Sequence, residues 1–426
     1  MQQLQTLKGF RDFLPNAAII RKRLTEKITN VFEKFGYDPL ETPALEYAEN
    51  LMGKYGEDAD KLLYIFEDRG GRKVGLRYDQ TVPLARIAAQ YGDIPKPFKR
   101  YQIQPVWRAD NTQKGRYREF LQCDADIIGD TNAPIADAEI LSLFWNVYKE
   151  IGFKDIKIVV NSRKVLKELI QRTLAGQDIT QVKFLSYVRS LDKFVKIGQE
   201  GVGKELVSKG MTQENIVYLF DRINEWSTYD YKKIEGLDGE LAWSIQMATE
   251  NFQLPTNSIK FDPVLSRGLD YYTGLIFEAV LPGTSGSLGG GGRYDDLINQ
   301  FVGRQIPAVG FAIGFDRTLE AAKELNLIKD EKTVTKVLVA YKDNDKDVFP
   351  TALDLSTKLR EAGINTEMFL DPKKDLDKQL KYANRKGIPY VVIIGEEEVK
   401  SGKYKLKNME SGEQKAFSLQ EIIDSV

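Results

Sequence analysis

The chain has no histidine among its 426 residues. That excludes serine–histidine triads, histidine zinc sites and imidazole acid–base catalysis, and leaves chemistry to arginine, carboxylate, amide, hydroxyl and bound metal. It has one cysteine, Cys123, so an intrachain disulfide framework and a cysteine-rich zinc site are also excluded. Cys123 reads as a small buried hydrophobe. No apolar run approaches the roughly 20 residues that span a bilayer. Met1-Gln2-Gln3-Leu4-Gln5 lacks the basic start and apolar core of a secretory signal, so no membrane association and a cytoplasmic location are expected. Neither charge sign is in excess: 61 Lys and Arg face 62 Asp and Glu. No global field draws in nucleic acid, and any RNA contact must use local patches. The Walker pattern and the spaced-glycine fingerprint are both missing, which excludes an ATP site of the P-loop or Rossmann kind.

A chain of this length, 42% hydrophobic and 29% charged, supports two or three domains. Apolar residues at Ile20, Leu24, Ile28, Val31, Phe32 and Phe35 have helical spacing, and Gly36 is placed to cap that helix. A strand from Tyr37 to Thr42 is expected next, ending at Pro43. From Phe98 to Asp126 the chain reads as strand, charged loop and returning strand. Residues from about Ser162 to Asn251 are rich in leucine, lysine and glutamate at helical spacing, as in a helical insertion. Leu325 to Lys336 reads as a linker. After it, strands at 337–340, 365–369 and 390–394 alternate with helices at 348–362 and 376–386, which predicts a small α/β domain.

The densest chemistry lies in Ser266-Arg267-Gly268-Leu269-Asp270-Tyr271-Tyr272-Thr273-Gly274. Apolar alternation resumes at Leu275, so both tyrosines fall where a turn feeds a strand and a rigid scaffold presents side chains to a pocket. Taken alone, the segment equally fits a hairpin with an Arg267–Asp270 surface pair, a contact that contributes only about 0–1 kcal/mol. Three other segments break the tie: Arg100 to Gly129, Gly289-Gly290-Gly291-Gly292-Arg293-Tyr294-Asp295-Asp296-Leu297, and Val309-Gly310-Phe311-Ala312-Ile313-Gly314-Phe315-Asp316-Arg317.

In this order the four segments resemble the histidyl-tRNA synthetases, a family of class II aminoacyl-tRNA synthetases, and Arg267 to Gly274 is similar to the family's histidine peptide. The resemblance spans nearly the whole chain. It implies an α+β fold with an antiparallel-sheet catalytic domain in two parts, 1–161 and 252–330, a helical insertion at 162–251 and an α/β anticodon-binding domain at 331–426. It implies a ligase that uses ATP and Mg2+ to convert L-histidine to histidyl-adenylate and then loads the 3′ end of histidine tRNA. It also implies a homodimer, built on the first helix, strand and proline. The insertion would lie over the acceptor arm, and a purely structural role fits it nearly as well. The alternative is a non-catalytic relative that regulates histidine biosynthesis or senses uncharged tRNA. Such relatives tend to lose motif arginines, the histidine peptide or the C-terminal domain, and this chain keeps all three. A different class II synthetase would need a different pocket.

The chemistry asks for fixed cations, because adenylate formation brings a carboxylate onto a polyanion. Arginine suits this through its permanent charge and planar fork. By resemblance, Arg108 addresses the α-phosphate and the histidine carboxylate, Arg317 the γ-phosphate, and Arg267 the α-phosphate in place of a metal ion. Arg116 belongs to the loop over ATP, and Asp110 and Glu119 are candidates for adenine or magnesium. Asp79 and Thr81 match positions on the α-amino group, Gln122 an amide bridging that end, and Asp126, Tyr271 and Tyr272 the imidazole readers. A carboxylate and a phenol can satisfy the two ring nitrogens, so an apolar isostere would leave polar groups unpaired. The bland reading of Asp79 is a turn residue capping Thr81 or Val82, and that of Tyr271 is core packing. The glycine run permits close backbone approach, although such runs are often flexible loops. Asn111 and Thr112 stand where many bacterial members have arginine and proline, while Gln113 matches. Lys373, Lys374, Lys378, Lys381, Arg385 and Lys386 could give local positive charge for RNA.

Overall fold

The computed structural model describes residues 4–55, 60–112, 115–177, 179–268, 270–284, 286–342, 347–371 and 373–426. Gln113, Lys114 and Leu269 of the segments quoted above lie outside the described residues, as do Met1 to Gln3. The chain forms two compact units. One comprises Met1–Arg11 with Leu24–Leu327, the other Asp12–Arg23 with Ile328–Val426.

In the first unit the strands are β1 (Asp38–Pro39), β2 (Leu45–Tyr47), β3 (Ile65–Glu67), β4 (Lys73–Leu76), β5 (Phe98–Trp107), β6 (Glu119–Ile128), β7 (Lys157–Ser162), β8 (Ile259–Phe261), β9 (Leu275–Val280), β10 (Gly289–Arg293) and β11 (Ala308–Gly314). Eight of them form one sheet in the order β1-β5-β6-β11-β10-β9-β7-β8. Every pairing from β5 through β7 is antiparallel, and only the edges are parallel. The hairpin expected at Phe98 to Asp126 is the β5–β6 pair. β2, β4 and β3 form a separate small sheet.

The helix Pro15–Lys34 starts on a proline, whose missing N–H costs nothing in a first turn. It ends as expected at Gly36, φ +75°, where the Gly36 and Tyr37 N–H groups donate to the Glu33 and Phe32 carbonyls. The strand predicted for Tyr37 to Thr42 is only β1: the Leu40 N–H still donates to the Tyr101 carbonyl, but the Thr42 N–H turns to the Gln104 side chain. The helix Ala133–Ile151 is capped by the Asn132 side chain and by left-handed Gly152. It packs Phe144 against Phe277 and Phe311, with ring centroids 5.2 and 4.7 Å apart, which fills one face of the sheet. The other face is left polar.

Between β7 and β8 the chain leaves the sheet for six helices: Arg163–Thr173, Gln181–Leu191, Phe194–Ser208, Gln213–Trp226, Tyr231–Ile234 and Gly239–Glu250. Leu169, Tyr187, Leu206, Leu219 and Trp226 are buried in this block.

The second unit carries β12 (Val337–Tyr341), β13 (Thr366–Met368), β14 (Tyr390–Ile394), β15 (Tyr404–Asn408) and β16 (Gln414–Phe417), in the order β13-β12-β14-β15-β16. β12 is covered on both faces and so reads as an unbroken apolar run. Val337, Val339 and Tyr341 pack with the helix Val348–Glu361, and Leu338 and Ala340 pack with Ala383 of the helix Leu376–Lys386. No strand had been expected at β15 or β16. Of the lysines expected to offer charge to RNA, Lys374, Lys378 and Lys386 pair with Asp371, Asp375 and Glu367.

Candidate active site

A cavity of about 940 Å³ opens on the polar face of the large sheet, and Asp79, Thr81, Arg108, Arg116, Gln122, Asp126, Arg267, Tyr271, Tyr272 and Arg317 all line it. Strand alternation builds its floor. On β6, Gln122, Asp124 and Asp126 share one face and Cys123 and Ala125 the other. Asp126 stands opposite Arg100 of β5 and Gly310 of β11. A Cβ at Gly310 would lie 1.9 Å from Asp126 Oδ1, and one at Gly290 would lie 1.8 Å from Arg267 Nη1. The glycine run is thus a strand inside the sheet and not a flexible loop, and its missing side chains make room for charged groups.

The acidic part of the site is built from groups whose two oxygens have different jobs. Asp79 Oδ1 accepts from the Tyr55 hydroxyl and from the Val82 N–H, both at 3.1 Å. Its Oδ2 is buried with no hydrogen-bond partner, as is Gln122 Oε1. The capping role and the ligand role expected of Asp79 are therefore compatible on a single side chain. Asp126 Oδ1 accepts from the Tyr294 hydroxyl, and Oδ2 pairs with buried Arg100 at 2.6 Å. Burial raises both carboxyls above the ordinary range, against the pull of the Val82 N–H and Arg108 on Asp79 and of Arg100 on Asp126. Asp124 is raised well above its usual value for the same reason. A pocket like this favours a cationic or N–H-donating ligand, which supplies the missing positive partner. Tyr271 and Tyr272, each 8% exposed, lie with ring centroids 4.9 Å apart and planes tilted by 58°, and both line the cavity.

The arginines are held by their stems and backbone contacts. Arg108 donates Nε to the Tyr78 carbonyl and lies 4.2 Å over the Tyr78 ring. Arg317, on the first turn of the helix Phe315–Glu324, reaches the Ser287 carbonyl. Arg267 does not pair with Asp270. Its Nη1 donates to the Phe277 carbonyl and to Glu278 at 3.1 Å, and its buried Nε has no partner. Arg116 is bidentate to Asp110, and Glu119 accepts from Trp107, so both candidate acids are engaged within the protein. Among the described residues, no group of three or more metal-ligating acidic or sulfur side chains is present.

Several residues at this site escaped the sequence reading. Arg100 carried a signal, since it alternates with Gln102 and Gln104 along β5 and faces Asp126 in the hairpin register. Tyr55 and Tyr294, which hold Asp79 and Asp126, looked like ordinary aromatics. Arg293, which follows the glycine run, forms a buried pair with Asp137 at 2.6 Å. The helical block also sends Ser186, Arg189, Asp192, Lys193 and Lys209 to the cavity rim.

An antiparallel sheet with an amino-acid pocket and separate phosphate-type arginines on one face is the catalytic architecture of class II aminoacyl-tRNA synthetases. Residues 9–318 match the family profile described as histidyl-tRNA synthetase, and residues 336–426 match that of the anticodon binding domain. A histidine–tRNA ligase of Aeropyrum pernix is 40% identical over 98% of this chain and 97% of that protein. One of Gloeobacter violaceus is 38% identical over 98% and 97%. The crystal structure of histidyl-tRNA synthetase from Nostoc superposes with a TM-score of 0.85 at 30% identity, covering 100% of both chains. The chain belongs to the histidyl-tRNA synthetase family.

Proposed function

We infer that the chain activates L-histidine with ATP and transfers it to the 3′ end of histidine tRNA. The observation that carries this reading is that one cavity brings together buried Asp79, whose Oδ2 has no hydrogen-bond partner, buried Asp126 and the arginines Arg108, Arg116, Arg267 and Arg317. Asp79 Oδ2 and Thr81 take the α-ammonium, and Gln122 bridges that end. Asp126 accepts from one imidazole nitrogen while Tyr272, with Tyr271 beside it, serves the other. Arg108 and Arg267 hold the histidine carboxylate against the α-phosphate. A carboxylate oxygen then bonds to the α-phosphorus, the bond from phosphorus to the bridging oxygen breaks, and pyrophosphate leaves. Arg317 and Arg116 steady the departing phosphates and the loop over ATP. The arginines are already oriented, so their stabilisation of the developing charge needs little reorganisation. Among the described residues no group of three or more acidic or sulfur side chains forms a dedicated metal cage. Magnesium would enter with the ATP phosphates and offset their charge, and it would need only one or two carboxylates from the chain, for which Asp110 and Glu119 are the candidates.

The domain reading divides the chain into catalytic parts at 1–161 and 252–330, an insertion at 162–251 and an anticodon-binding part at 331–426. Homodimerisation is supported by Leu45, Tyr47, Ile65 and Phe66 of the small sheet, all exposed apolar side chains. Among the described residues no helix is long and apolar enough to cross a membrane, which is compatible with a cytoplasmic protein. The regulatory alternative is disfavoured because all three motif arginines and the imidazole-reading set reach the cavity.

The test is histidine-dependent exchange of pyrophosphate into ATP, without tRNA, run against the other amino acids. Exchange with histidine alone supports the reading, and a folded protein that exchanges with none overturns it. Light scattering that finds a monomer would overturn the dimer.

A further inference from the structure

Arg267 is a non-glycine residue in the left-handed region, with φ +54°, a conformation that persists only where its surroundings over-determine it. The restraints come from the helical block. Asp192, just past the end of the helix Gln181–Leu191, accepts from the hydroxyl of buried Ser266 at 3.2 Å. Arg189, in the last turn of the same helix, pairs with Asp270 at 2.5 Å. Arg163, the first residue of its helix, donates to the Arg267 carbonyl at 3.2 Å. The segment is thus pinned before, at and after the arginine.

The corner that does this is itself braced. Lys209 Nζ donates to the Ser186 carbonyl at 2.7 Å and to Ser190 Oγ at 2.6 Å, and Glu205 accepts from Ser190 and from Lys193. These contacts link two successive helices behind Arg189 and Asp192. A corner held in this way can impose a backbone conformation on a neighbouring loop.

We propose that Arg189 and Asp192 of the helical block are positioning residues for Arg267, so that the block sets the rate of adenylate formation in the absence of tRNA. The proposal rests on the reading that Arg267 acts at the α-phosphate. It differs from a block that only covers the acceptor arm, since such a block would affect the transfer step alone. The pins hold the loop, and Glu278 with the Phe277 carbonyl then directs the guanidinium across Gly290 into the cavity.

The test uses the full chain and tRNA-free, histidine-dependent pyrophosphate exchange. Arg189→Met is expected to lower kcat about ten-fold, the scale of a lost charge-assisted hydrogen bond, and Asp192→Asn, which keeps an oxygen for the Ser266 hydroxyl and loses only the charge, about three-fold, with the KM for histidine within about two-fold. Arg189→Lys should recover most of the rate. Arg189→Met combined with Asp270→Asn should be no slower than either single variant, because both remove the same contact. The Arg189 side chain is half exposed, so its variants are expected to melt with the unaltered protein. Wild-type kcat in both Arg189→Met and Asp192→Asn overturns the proposal alone. So does a loss that Arg189→Lys fails to rescue. No exchange by the unaltered chain overturns the functional reading and this proposal together.

Discussion

The two large sheets solve opposite problems. In the second unit the central strands β12 and β14 are packed on both faces, and fully buried Gln379 of the helix Leu376–Lys386 is completely satisfied, bonding the backbone N–H and carbonyl of Tyr341 and the carbonyl of Lys374. The eight-stranded sheet of the first unit is packed on one face only. On the other it keeps Asp79, Asp124 and Asp126 buried with orphaned or strained electrostatics, over strands whose side chains have been reduced to glycine. The five-stranded arrangement is what a stable domain needs. The eight-stranded sheet gives up packing on that face to hold carboxyl groups in the cavity, where one oxygen of Asp79 has no hydrogen-bond partner. The contrast predicts that stability and activity separate along the same line.

The sharpest break would be Arg267→Ala. Adenylate formation should fall by about two to three orders of magnitude, the scale of a lost preorganised charge, with little change in melting; near-normal turnover in the exchange assay removes Arg267 from the mechanism. The mirror image is Val339→Ala in the second sheet. Deleting two buried methyl groups should cost about 2 kcal/mol of stability and leave tRNA-free exchange within about two-fold. A lost exchange activity there would show that the sheets are not functionally distinct. Tyr294→Phe removes the hydroxyl bonded to Asp126 and should raise the KM for histidine about ten-fold, visible in exchange kinetics at saturating ATP.

The smallest effect concerns pH. Burial, opposed by Arg293, holds Asp137 up to about 6, against 3.8 in the unfolded chain. The native state therefore binds the proton more tightly. The associated stability is complete below about pH 4 and is lost as the pH rises through about 6. With no histidine in the chain, no imidazole titrates there. Asp137→Asn should flatten the fall in melting temperature between pH 4 and 6. The slope would not vanish, because Asp79, Asp124 and Asp126 are shifted in the same direction. An unchanged slope would contradict the assignment.

The second sheet was legible in the sequence up to β14 because periodic apolar runs, a Gly387 stop and short connections point the same way. β15 and β16 were not, since Tyr404–Asn408 and Gln414–Phe417 are half polar and lie at the edge, where burial imposes little alternation. In the first unit the arginines and acids of the cavity could be named because each stands in a chemically unusual segment. Their supports could not. Tyr55 is 24 residues from Asp79, Tyr294 is 168 from Asp126, and Arg189 is 81 from Asp270. Contacts between ordinary residues so far apart leave no local pattern. β1 was expected but is shorter than its expected range, because the Gln104 side chain that takes the Thr42 N–H leaves no local signal.

Cys123 lies fully buried on β6, on the helix-facing side of the strand that carries Gln122 and Asp126. It is the only thiol in the chain, so an alkylating reagent can reach sulfur only when the middle of this sheet opens. The labelling rate, measured on the unaltered protein, therefore reads the opening free energy at that one strand. Adding histidine and ATP should slow it by as much as their binding stabilises the closed sheet, which makes the chain its own reporter of occupancy.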